Sequence, residues 1–258
     1  MDNLLTTTQF TGKFLVHLPR VDSTNNYAKE YMSKTSPKDG AVILADEQYA
    51  GRGQSGNSWE SDPLKNLTFS IIYRTDFLPA SDQFYLNMAI SLGLAEAIQA
   101  SLTKEDTISV KWPNDLYVRD RKIAGILIEN IVSGANLSWS IIGIGLNINQ
   151  EIFSDDVWAT SLFLENRVEA DRFNVLKNIL ERVEFYYLEL RSGNLERLKK
   201  NYLDVLYHFN EWHSFSDQAG KFEGKITGVN TYGNLIVETA TGIREYGMKE
   251  IKFERPAN

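Results

Sequence analysis

Residues 41–59 read AVILADEQYAGRGQSGNSW, an apolar run followed by a glycine-rich loop. Gly51, Gly53 and Gly56 fit the pattern G-x-G-x-x-G, which binds dinucleotides when a strand leads into it and a helix follows it. Ala41–Asp46 meets the first condition, but the residues after Gly56 favour turns and not an amphipathic helix. The stretch therefore argues against a dinucleotide-binding fold, and its glycines require another explanation.

The composition is that of an acidic chain that can bury a large core. Its 258 residues are 43% hydrophobic and 24% charged, with a formal net charge of −7. The acidity argues against a broad nucleic-acid surface. The absence of cysteine excludes disulfides, thiolate catalysis and cysteine metal sites, and it fits a reducing compartment. Neither a signal peptide nor an apolar run long enough to span a bilayer is recognisable, so we expect a cytoplasmic protein.

The chain has three histidines, His17, His208 and His213. We expect that they are not clustered, and we recognise no spacing typical of metal ligands among them. A Ser-His-Asp triad has no nucleophile-elbow motif to support it. We therefore expect the histidines to serve packing or to lie on the surface.

Strands and helices are mixed without strict alternation, which favours an α+β fold with a central mixed or antiparallel sheet. The predicted strands are Lys13–Leu18, Ala41–Asp46, Leu67–Arg74, Ile108–Trp112, Arg121–Val132 and Leu137–Ile148. The predicted helices are one that ends near Ser33, Phe84–Leu102, Arg172–Leu190 and Leu195–Phe209. Residues 220–253 alternate short strands with glycine and asparagine turns, which predicts a small all-β barrel. We therefore expect one domain over residues 1–214 and a second over residues 215–258.

Polar residues occur where a plain core would not place them. In the glycine-rich loop, three glycines free the backbone for positive φ, and Arg52 offers a bidentate cation for phosphate or carboxylate. A surface loop anchored by Trp59 is an equally good explanation. Lys111, Asn114 and Asp115 emerge together at a strand end, which suits phosphates and Mg²⁺ but also an ordinary polar turn with an ion pair.

Two neighbouring strands carry small residues that suit a ligand slot. Lys122 precedes Gly125 in a strand of small and apolar residues, an arrangement suited to an acid group on an apolar molecule; a lysine that protects an edge strand is the alternative. Gly143 and Gly145 indicate close approach of a ligand or backbone, or a β-bulge, and Asn147 suits a base or ribose. Because no G-K-[ST], H-R-D or D-F-G motif occurs, any nucleotide must be bound by another kind of fold.

Four motifs in this order and spacing resemble those of the biotin protein ligases. They are DSTNNYAKE at 22–30, QYAGRGQSGNSW at 48–59, VKWPNDLYVRDRKIAGILIE at 110–129 and IGIGLNIN at 142–149. The resemblance covers nearly the whole chain, and it implies a sheet like that of class II aminoacyl-tRNA synthetases with a C-terminal SH3-like barrel. It also implies a two-step reaction, in which biotin and ATP form biotinyl-5′-AMP and the biotinyl group passes to a lysine of a biotin carboxyl carrier protein domain.

The resemblance also assigns site residues. The implied catalytic residues are Lys122, Arg52 and Lys111. The implied biotin-binding residues are Ser23, Thr24, Asn25, Gln48, Gly51, Arg52, Gly53, Lys122, Gly125 and Gly145. The implied ATP-binding residues are Arg52, Gln54, Trp59, Lys111, Asn114 and Asn147, and Asp115 would hold Mg²⁺ through the ATP phosphates. The glycine-rich loop would then be a lid that orders over the adenylate and shields it from water.

The chain departs from the family pattern in two places. Well-known members carry further arginines in the loop, where this chain has Gln54, Ser55 and Asn57. We therefore expect weaker retention of the adenylate. Some members also have an N-terminal helix-turn-helix domain, but only about 20 residues precede Ser23, and we expect no DNA binding.

Two alternatives stay open at the level of sequence. A lipoate or octanoate ligase would share the fold but would need a longer apolar acyl channel. A non-catalytic ligand-binding relative is disfavoured because Arg52, Lys111, Asp115 and Lys122 are all retained. A sheet edge suits either a homodimer or the carrier protein, and we expect no membrane association.

Overall fold

A computed structural model describes residues 6–103, 107–154 and 158–254. Within these ranges the larger part of the chain builds one seven-stranded sheet. Its strands are β1 (Leu15–Leu18), β2 (Ala41–Ala45), β3 (Leu67–Arg74), β4 (Ile108–Lys111), β5 (Asp115–Val118), β6 (Arg121–Ser133) and β7 (Asn136–Leu146). They lie in the order β1-β2-β3-β7-β6-β5-β4, and β1 and β2 pair in parallel while the other neighbours pair antiparallel. The predicted α+β fold with a mixed central sheet is confirmed.

Helices cover both faces of this sheet. They are α1 (Thr24–Lys34), α2 (Phe84–Gln99), α3 (Leu162–Asn166), α4 (Arg172–Arg191) and α5 (Leu195–Asp204). In β2, Val42 and Leu44 join the core that contains α2 and α4, whereas Ala41 and Ile43 pack with Ala28 of α1. Because both faces of β2 are covered, its sequence is an uninterrupted apolar run.

The C-terminal residues form a second sheet that is entirely antiparallel. Its strands are β8 (Trp212–Asp217), β9 (Gly220–Val229), β10 (Leu235–Thr239), β11 (Gly242–Tyr246) and β12 (Lys252–Phe253), in the order β11-β10-β9-β8-β12. The predicted all-β segment is therefore present. Because β8 begins at Trp212, the predicted boundary between residues 214 and 215 falls inside a strand, and the division into two domains stays a prediction.

The segment 205–211 joins the two sheets, and here the predicted helix Leu195–Phe209 is wrong. The helix ends at Asp204, and β4 then exchanges hydrogen bonds with the segment: the N–H of Val110 donates to the Val205 carbonyl, and the Val110 carbonyl accepts from Tyr207. Asn210 donates its N–H to Ile226 of β9 at 2.9 Å. The apolar residues after Asp204 continue the helical spacing, but they belong to the segment that joins the two sheets and not to a longer helix.

The prediction also missed three elements and shifted other boundaries by a few residues. The missed elements are β5, α3 and β8. The strand Leu67–Arg74 is confirmed at both ends, whereas α2 ends at Gln99 and not at Leu102. Among the described residues, no helix is both long and apolar enough to cross a bilayer.

The indole of Trp112 ties the central sheet to the C-terminal sheet. Trp112 is buried, and its Nε1–H donates to the Gly233 carbonyl in the β9–β10 turn at 2.8 Å. Gly233 has φ 90°, and a Cβ there would lie 2.4 Å from the ring of Phe84 in α2. The turn therefore docks closely against the residues that follow β4.

Replacement of Trp112 by phenylalanine should loosen this docking. The change removes the donor to Gly233 and leaves a buried carbonyl unpaired, so we expect a loss of about 1–3 kcal/mol in the free energy of unfolding. Denaturant unfolding followed by circular dichroism measures the change. Trp212→Phe is the matched control, because Trp212 is 52% exposed. Equal stability of the two variants would contradict a docking role for Trp112.

Candidate active site

A cavity of about 240 Å³ lies where α1, the loop 51–59, β6 and β7 meet. Its wall combines the motifs that the sequence singled out with two residues of the C-terminal sheet. The lining residues are Ser23, Thr24, Asn25, Gln48, Arg52, Gly53, Gln54, Asn57, Ser58, Trp59, Pro113, Asn114, Asp115, Lys122, Gly125, Ile126, Leu127, Gly143, Ile144, Gly145, Met248 and Lys249. The fold therefore brings most of the predicted site residues to one cavity.

Hydroxyl and amide groups form one end of the cavity. Gln48 Oε1 accepts from the backbone N–H of Thr24 at 2.7 Å and lies 3.0 Å from the Thr24 hydroxyl. Ser70 Oγ lies 2.7 Å from Thr24 Oγ1 and 2.6 Å from Asn25 Oδ1. All of these atoms except those of Gln48 belong to buried residues. This end offers fixed donors and acceptors to a neutral polar ligand group.

Glu129 extends the same network to the glycine-rich loop. Its Oε2 accepts from Asn25 Nδ2 at 2.9 Å, while its Oε1 lies 2.7 Å from Lys29 Nζ and 3.2 Å from a guanidinium nitrogen of Arg52. Burial acts to raise the pKa of the Glu129 carboxyl, but the hydrogen bonds from Lys29 and Asn25 and the charges of Lys29 and Arg52 hold it below its ordinary value. Arg52 also donates to Asn26 Oδ1 at 2.8 Å. The loop arginine is therefore held at the rim of the cavity by a carboxylate.

Hydrogen bonds within the loop close it into a turn. Trp59 N–H donates to the Gly51 carbonyl at 3.0 Å, and Gly53 N–H donates to the Asn57 carbonyl at 2.7 Å. Of its glycines, Gly56 alone has positive φ, at 88°. A Cβ on Gly51 would lie 2.3 Å from the Trp59 carbonyl oxygen. The predicted freedom for positive φ is used at Gly56, whereas Gly51 is required by close backbone approach inside the loop.

Glycines on β6 and β7 form the floor of the cavity. Gly125 and Gly145 are direct partners in the β6–β7 register, and the ring of Trp59 lies over them. A Cβ on Gly145 would lie 2.3 Å from Trp59 Cε2, and a Cβ on Gly143 would lie 2.5 Å from Asn25 Oδ1. The close approach at Gly143 and Gly145 is made by the side chains of Asn25 and Trp59, and not by a backbone as the sequence alone allowed.

Lys122 lies where this cavity meets a second cleft. Its Nζ is 2.6 Å from Asp115 Oδ1 and 5.6 Å from the centre of the Trp59 ring. The second cleft is lined by residues that include Gly51, Trp59, Lys122 and Asn147. In the described part of the chain, Lys122 is the only cation that lines both spaces. One ammonium group can therefore contact a ligand in either space, or two ligands at their junction.

Asn147 presents an oxygen without a hydrogen-bond donor in the second cleft. Its N–H donates to the Ile123 carbonyl and its Nδ2 to the Thr160 carbonyl, which fix the side chain. Its Oδ1 is buried and accepts no hydrogen bond from any described residue. The indole Nε1–H of Trp59 is also buried and donates to no described residue. A buried polar atom in this state is costly unless a ligand or water satisfies it. The pair is suited to a heterocycle with an amino group.

Lys111 lies outside the cavity that contains its predicted partners. Its Nζ lies 4.7 Å from the ring centre of Tyr117, 5.0 Å from that of Phe253 and 6.0 Å from that of Tyr207, distances typical of cation–π contacts. Asn114 does line the cavity, and its Nδ2 donates to the Ile126 carbonyl. The predicted contact of Lys111 with ATP stays a prediction.

The prediction that the histidines are not clustered is wrong for two of them, because His208, Glu211 and His213 bring their possible ligand atoms within 4.8 Å of one another. The rings of His208 and His213 stack with centres 3.4 Å apart, and Glu211 Oε2 lies 3.1 Å from His213 Nε2. Burial and the neighbouring His213 lower the pKa of His208 to about 4. One carboxylate oxygen, Glu211 Oε2, lies near a nitrogen of each ring, 3.7 Å from His208 Nδ1 and 3.1 Å from His213 Nε2.

The site residues predicted from sequence do not include all the contributors to the cavity, and four of the missed ones bear on its chemistry. They are Ser70, Glu129, Met248 and Lys249. Ser70 is a polar residue between apolar neighbours in the strand LTFSIIYR, and Glu129 is a carboxylate inside the strand Arg121–Ser133, so both carried a recognisable signal. Met248 and Lys249 carried none, because only the tertiary fold brings the C-terminal sheet to the cavity.

The sequence is similar to those of known ligases. The model of the biotin/lipoate A/B protein ligase family matches residues 17–147. The bifunctional ligase/repressor BirA of Salmonella typhimurium is 33% identical over 248 residues, which cover 92% of this chain and 73% of that protein. The biotin–[acetyl-CoA-carboxylase] ligase of Mycobacterium tuberculosis is 29% identical over 60% of this chain and 57% of that protein.

A solved structure extends the similarity to nearly the whole chain. The biotin protein ligase from Aquifex aeolicus in complex with biotin and ATP aligns with a TM-score of 0.78 at 28% identity. The alignment covers 94% of this chain and 99% of that chain. It therefore includes the C-terminal sheet as well as the central one.

The network around Glu129 yields a test of the site's electrostatics. Glu129→Gln keeps the size of the side chain but removes the charge that faces Lys29 and Arg52, so we expect a loss of about 1–3 kcal/mol in the free energy of unfolding at pH 7. The pKa of Glu129 in the folded protein lies below the ordinary 4.5. The extra free energy of unfolding of the wild type is therefore fully present above pH 4.5, and it is lost as the pH falls through the lowered pKa.

Denaturant unfolding of both proteins between pH 7 and pH 3 measures this difference. Lys29→Met is the control, because it removes one cation and leaves the contact between Arg52 and Glu129. It should cost less than Glu129→Gln. If the free energies of unfolding of wild type and Glu129→Gln differ by the same amount from pH 7 to pH 3, the assigned charge interaction is contradicted.

Proposed function

The chain belongs to the biotin/lipoate A/B protein ligase family, and we propose that it is a biotin protein ligase. In this proposal it activates biotin with ATP as biotinyl-5′-AMP and transfers the biotinyl group to a lysine of a carrier protein. The position of Lys122 at the junction of the cavity and the second cleft carries the proposal. A residue that must contact a carboxylate and a phosphate at once has to stand between their sites.

We assign biotin to the cavity and the adenosine part of ATP to the second cleft. The hydroxyl and amide groups of Thr24, Asn25 and Gln48 suit the neutral ureido group. In the cleft, the buried Oδ1 of Asn147 suits the adenine amino group. Relatives support the pairing, since the aligned Aquifex aeolicus ligase is described as a complex with biotin and ATP.

In the first step, a carboxylate oxygen of biotin attacks the α-phosphorus of ATP. A new bond joins these atoms, the bond from the α-phosphorus to the bridging oxygen breaks, and pyrophosphate leaves with the electron pair. Both reactants are anionic, so catalysis consists mainly of positioning and of cations that offset their repulsion. Lys122 supplies one such charge inside the cavity, and Arg52 supplies another at its rim.

In the second step, the amine of the acceptor lysine attacks the carbonyl carbon of the mixed anhydride. A carbon–nitrogen bond forms, the carbon–oxygen bond to the phosphate breaks, and AMP leaves. We propose that the acceptor is a carrier domain of a biotin-dependent carboxylase, because the Mycobacterium tuberculosis relative is named for acetyl-CoA carboxylase. We place the reaction in the cytoplasm; a homodimer and the absence of DNA binding stay predictions.

A magnesium ion fits this arrangement. Asp115 contributes a carboxylate to the cavity wall beside the amide of Asn114, and Mg²⁺ is commonly held by one or two carboxylates together with substrate phosphates. When bound, the ion would neutralise phosphate charge. Asp115 contacts Lys122 at 2.6 Å, so binding of the metal by Asp115 would free the lysine for the reacting oxygens.

Pyrophosphate release tests the function directly. Purified protein with Mg²⁺ and ATP should release pyrophosphate when biotin is added, and not with lipoate or without an acid. Lys122→Met should lower the rate by about 10²–10³, the effect of losing one group that stabilises the transition state. Lys200→Met on the surface of α5 is the matched control and should leave the rate unchanged.

The outcomes separate the alternatives. Release that depends on lipoate would identify a lipoate ligase of the same family. Absence of release with either acid would favour a relative that only binds ligands.

The loop predicts a second kinetic property. Gln54 and Asn57 line the cavity at positions where the resemblance to the biotin protein ligases implies further arginines. Gln54→Arg should therefore slow dissociation of biotinyl-5′-AMP, by about tenfold if one new charged hydrogen bond forms. Stopped-flow chase of the bound adenylate measures the rate, with Gln54→Met as the neutral control. Equal rates for wild type and the arginine variant would contradict the idea.

A further inference from the structure

Three side chains that can bind a metal ion meet where the chain passes from the central sheet to the C-terminal sheet. His208 and Glu211 belong to the segment 205–211, and His213 is the second residue of β8. Their possible ligand atoms lie within 4.8 Å of one another. None of the three lines the cavity or the second cleft. They therefore form a group apart from the candidate active site, which we call the joint cluster.

The distances within the joint cluster are those of ligands around one ion. Glu211 Oε2 lies 3.7 Å from His208 Nδ1 and 3.1 Å from His213 Nε2. Ligand atoms bound to a tetrahedral zinc ion at about 2.0–2.2 Å lie about 3.3–3.6 Å from each other. The two observed distances lie on either side of this range. A single ion can therefore contact the carboxylate oxygen and both nitrogens after small movements of the side chains.

One ligand of the joint cluster is held by the fold, and the other two can adjust. Backbone hydrogen bonds at Tyr207 and Asn210 tie the chain on either side of His208 to the two sheets. The side chains of Glu211 and His213 are 67% and 32% exposed. Rotation of His213 about its side-chain bonds can therefore turn its ring from the stacked arrangement toward an ion that His208 holds.

The local charges and the types of ligand favour a cation of the zinc class. The carboxylates of Glu211 and Asp120 act on the His208 ring, and Lys111 opposes them. Burial and the neighbouring His213 lower the pKa of His208 to about 4, so this ring is neutral at pH 7, which is the form that binds metals. Two imidazoles and a carboxylate suit Zn²⁺ and similar transition-metal ions, whereas Mg²⁺ prefers oxygen ligands.

We propose that His208, Glu211 and His213 bind one divalent transition-metal ion of the zinc class. The three ligands leave a fourth tetrahedral position for water. Because two ligands precede β8 and the third lies in it, the bound ion would hold the segment 205–211 against the C-terminal sheet. This ion is separate from the Mg²⁺ proposed beside Asp115, and the proposal does not depend on the ligase function.

Zinc titration in a calorimeter tests the proposal on protein that has no histidine tag and has been treated with a chelator. The wild type should bind one equivalent. His213→Gln should weaken the affinity for Zn²⁺ about a hundredfold, the effect of losing one of three ligands. His208→Asn should have a similar effect, and asparagine tolerates the left-handed backbone of this position, where φ is 61°. His17→Gln is the matched control and should bind as the wild type does, because His17 lies in β1 beside Asp46.

Thermal unfolding gives a second measurement of the same binding. One equivalent of Zn²⁺ should raise the Tm of the wild type and of His17→Gln, because the ion binds the folded state, and it should leave the Tm of His213→Gln unchanged. Equal zinc affinities in the wild type and in both variants of the joint cluster would overturn the proposal. Weak binding of several ions that no variant changes would show adventitious surface binding only and would overturn it too, as would an equal loss of affinity in His17→Gln.

Discussion

The cavity exists because three positions on the two central strands carry no side chain. Gly125 of β6 is paired with Gly145 of β7. Gly143 lies two residues before Gly145 and on the same face of β7. The hydrogen-bonded ladder keeps the backbone rigid while the missing side chains leave depth above it. The side chains of Trp59 and Asn25 pack so close to these glycines that a Cβ at Gly145 or Gly143 would overlap them. The position of the loop above, and of α1 beside it, follows from this bare floor.

The rest of the site is organised by carboxylates that hold cations in place. Asp115 contacts Lys122, and Glu129 contacts Arg52 and Lys29. A cation taken partly out of water needs such a partner, since an isolated one would be strongly destabilising. An anionic substrate must therefore compete with a carboxylate for each cation. The carboxylates keep Lys122 and Arg52 paired until an anionic substrate binds. Substrate binding is then coupled to the replacement of these carboxylate partners by the substrate.

Much of the fold was predictable from sequence because its strands are rich in β-branched residues and bounded by turns. Leu67–Arg74 shows this in both of its boundaries. The main error, the extension of a helix to Phe209, has a physical cause. Residues 205–211 keep a helical apolar spacing, but they pair with Val110 and Ile226, partners that only the assembled sheets provide. The meeting of His208 and His213 depends on this joint, where His208 has φ 61°, and no local pattern indicates it.

The position of a side chain relative to the cavity was predictable where one motif carries both chemistry and backbone shape, and it was not predictable where a side chain could point to either face. The glycines and Lys122 are of the first kind, since their roles follow from the strand that contains them. Lys111 is of the second kind: its ammonium packs among Tyr117, Tyr207 and Phe253, the last of which arrives from the far end of the chain.

The C-terminal sheet is thus connected to the site twice, through the aromatic rings around Lys111 and through the turn that carries Lys249. Together with the bond from Trp112 to Gly233, these contacts make the wall of the cavity depend on how the two sheets are docked. A change at the joint that leaves both sheets folded would displace the turn from the rim. The motif that includes Lys111, Trp112 and Asp115 therefore serves two purposes, because it lines the cavity with one end and holds the second sheet with the other.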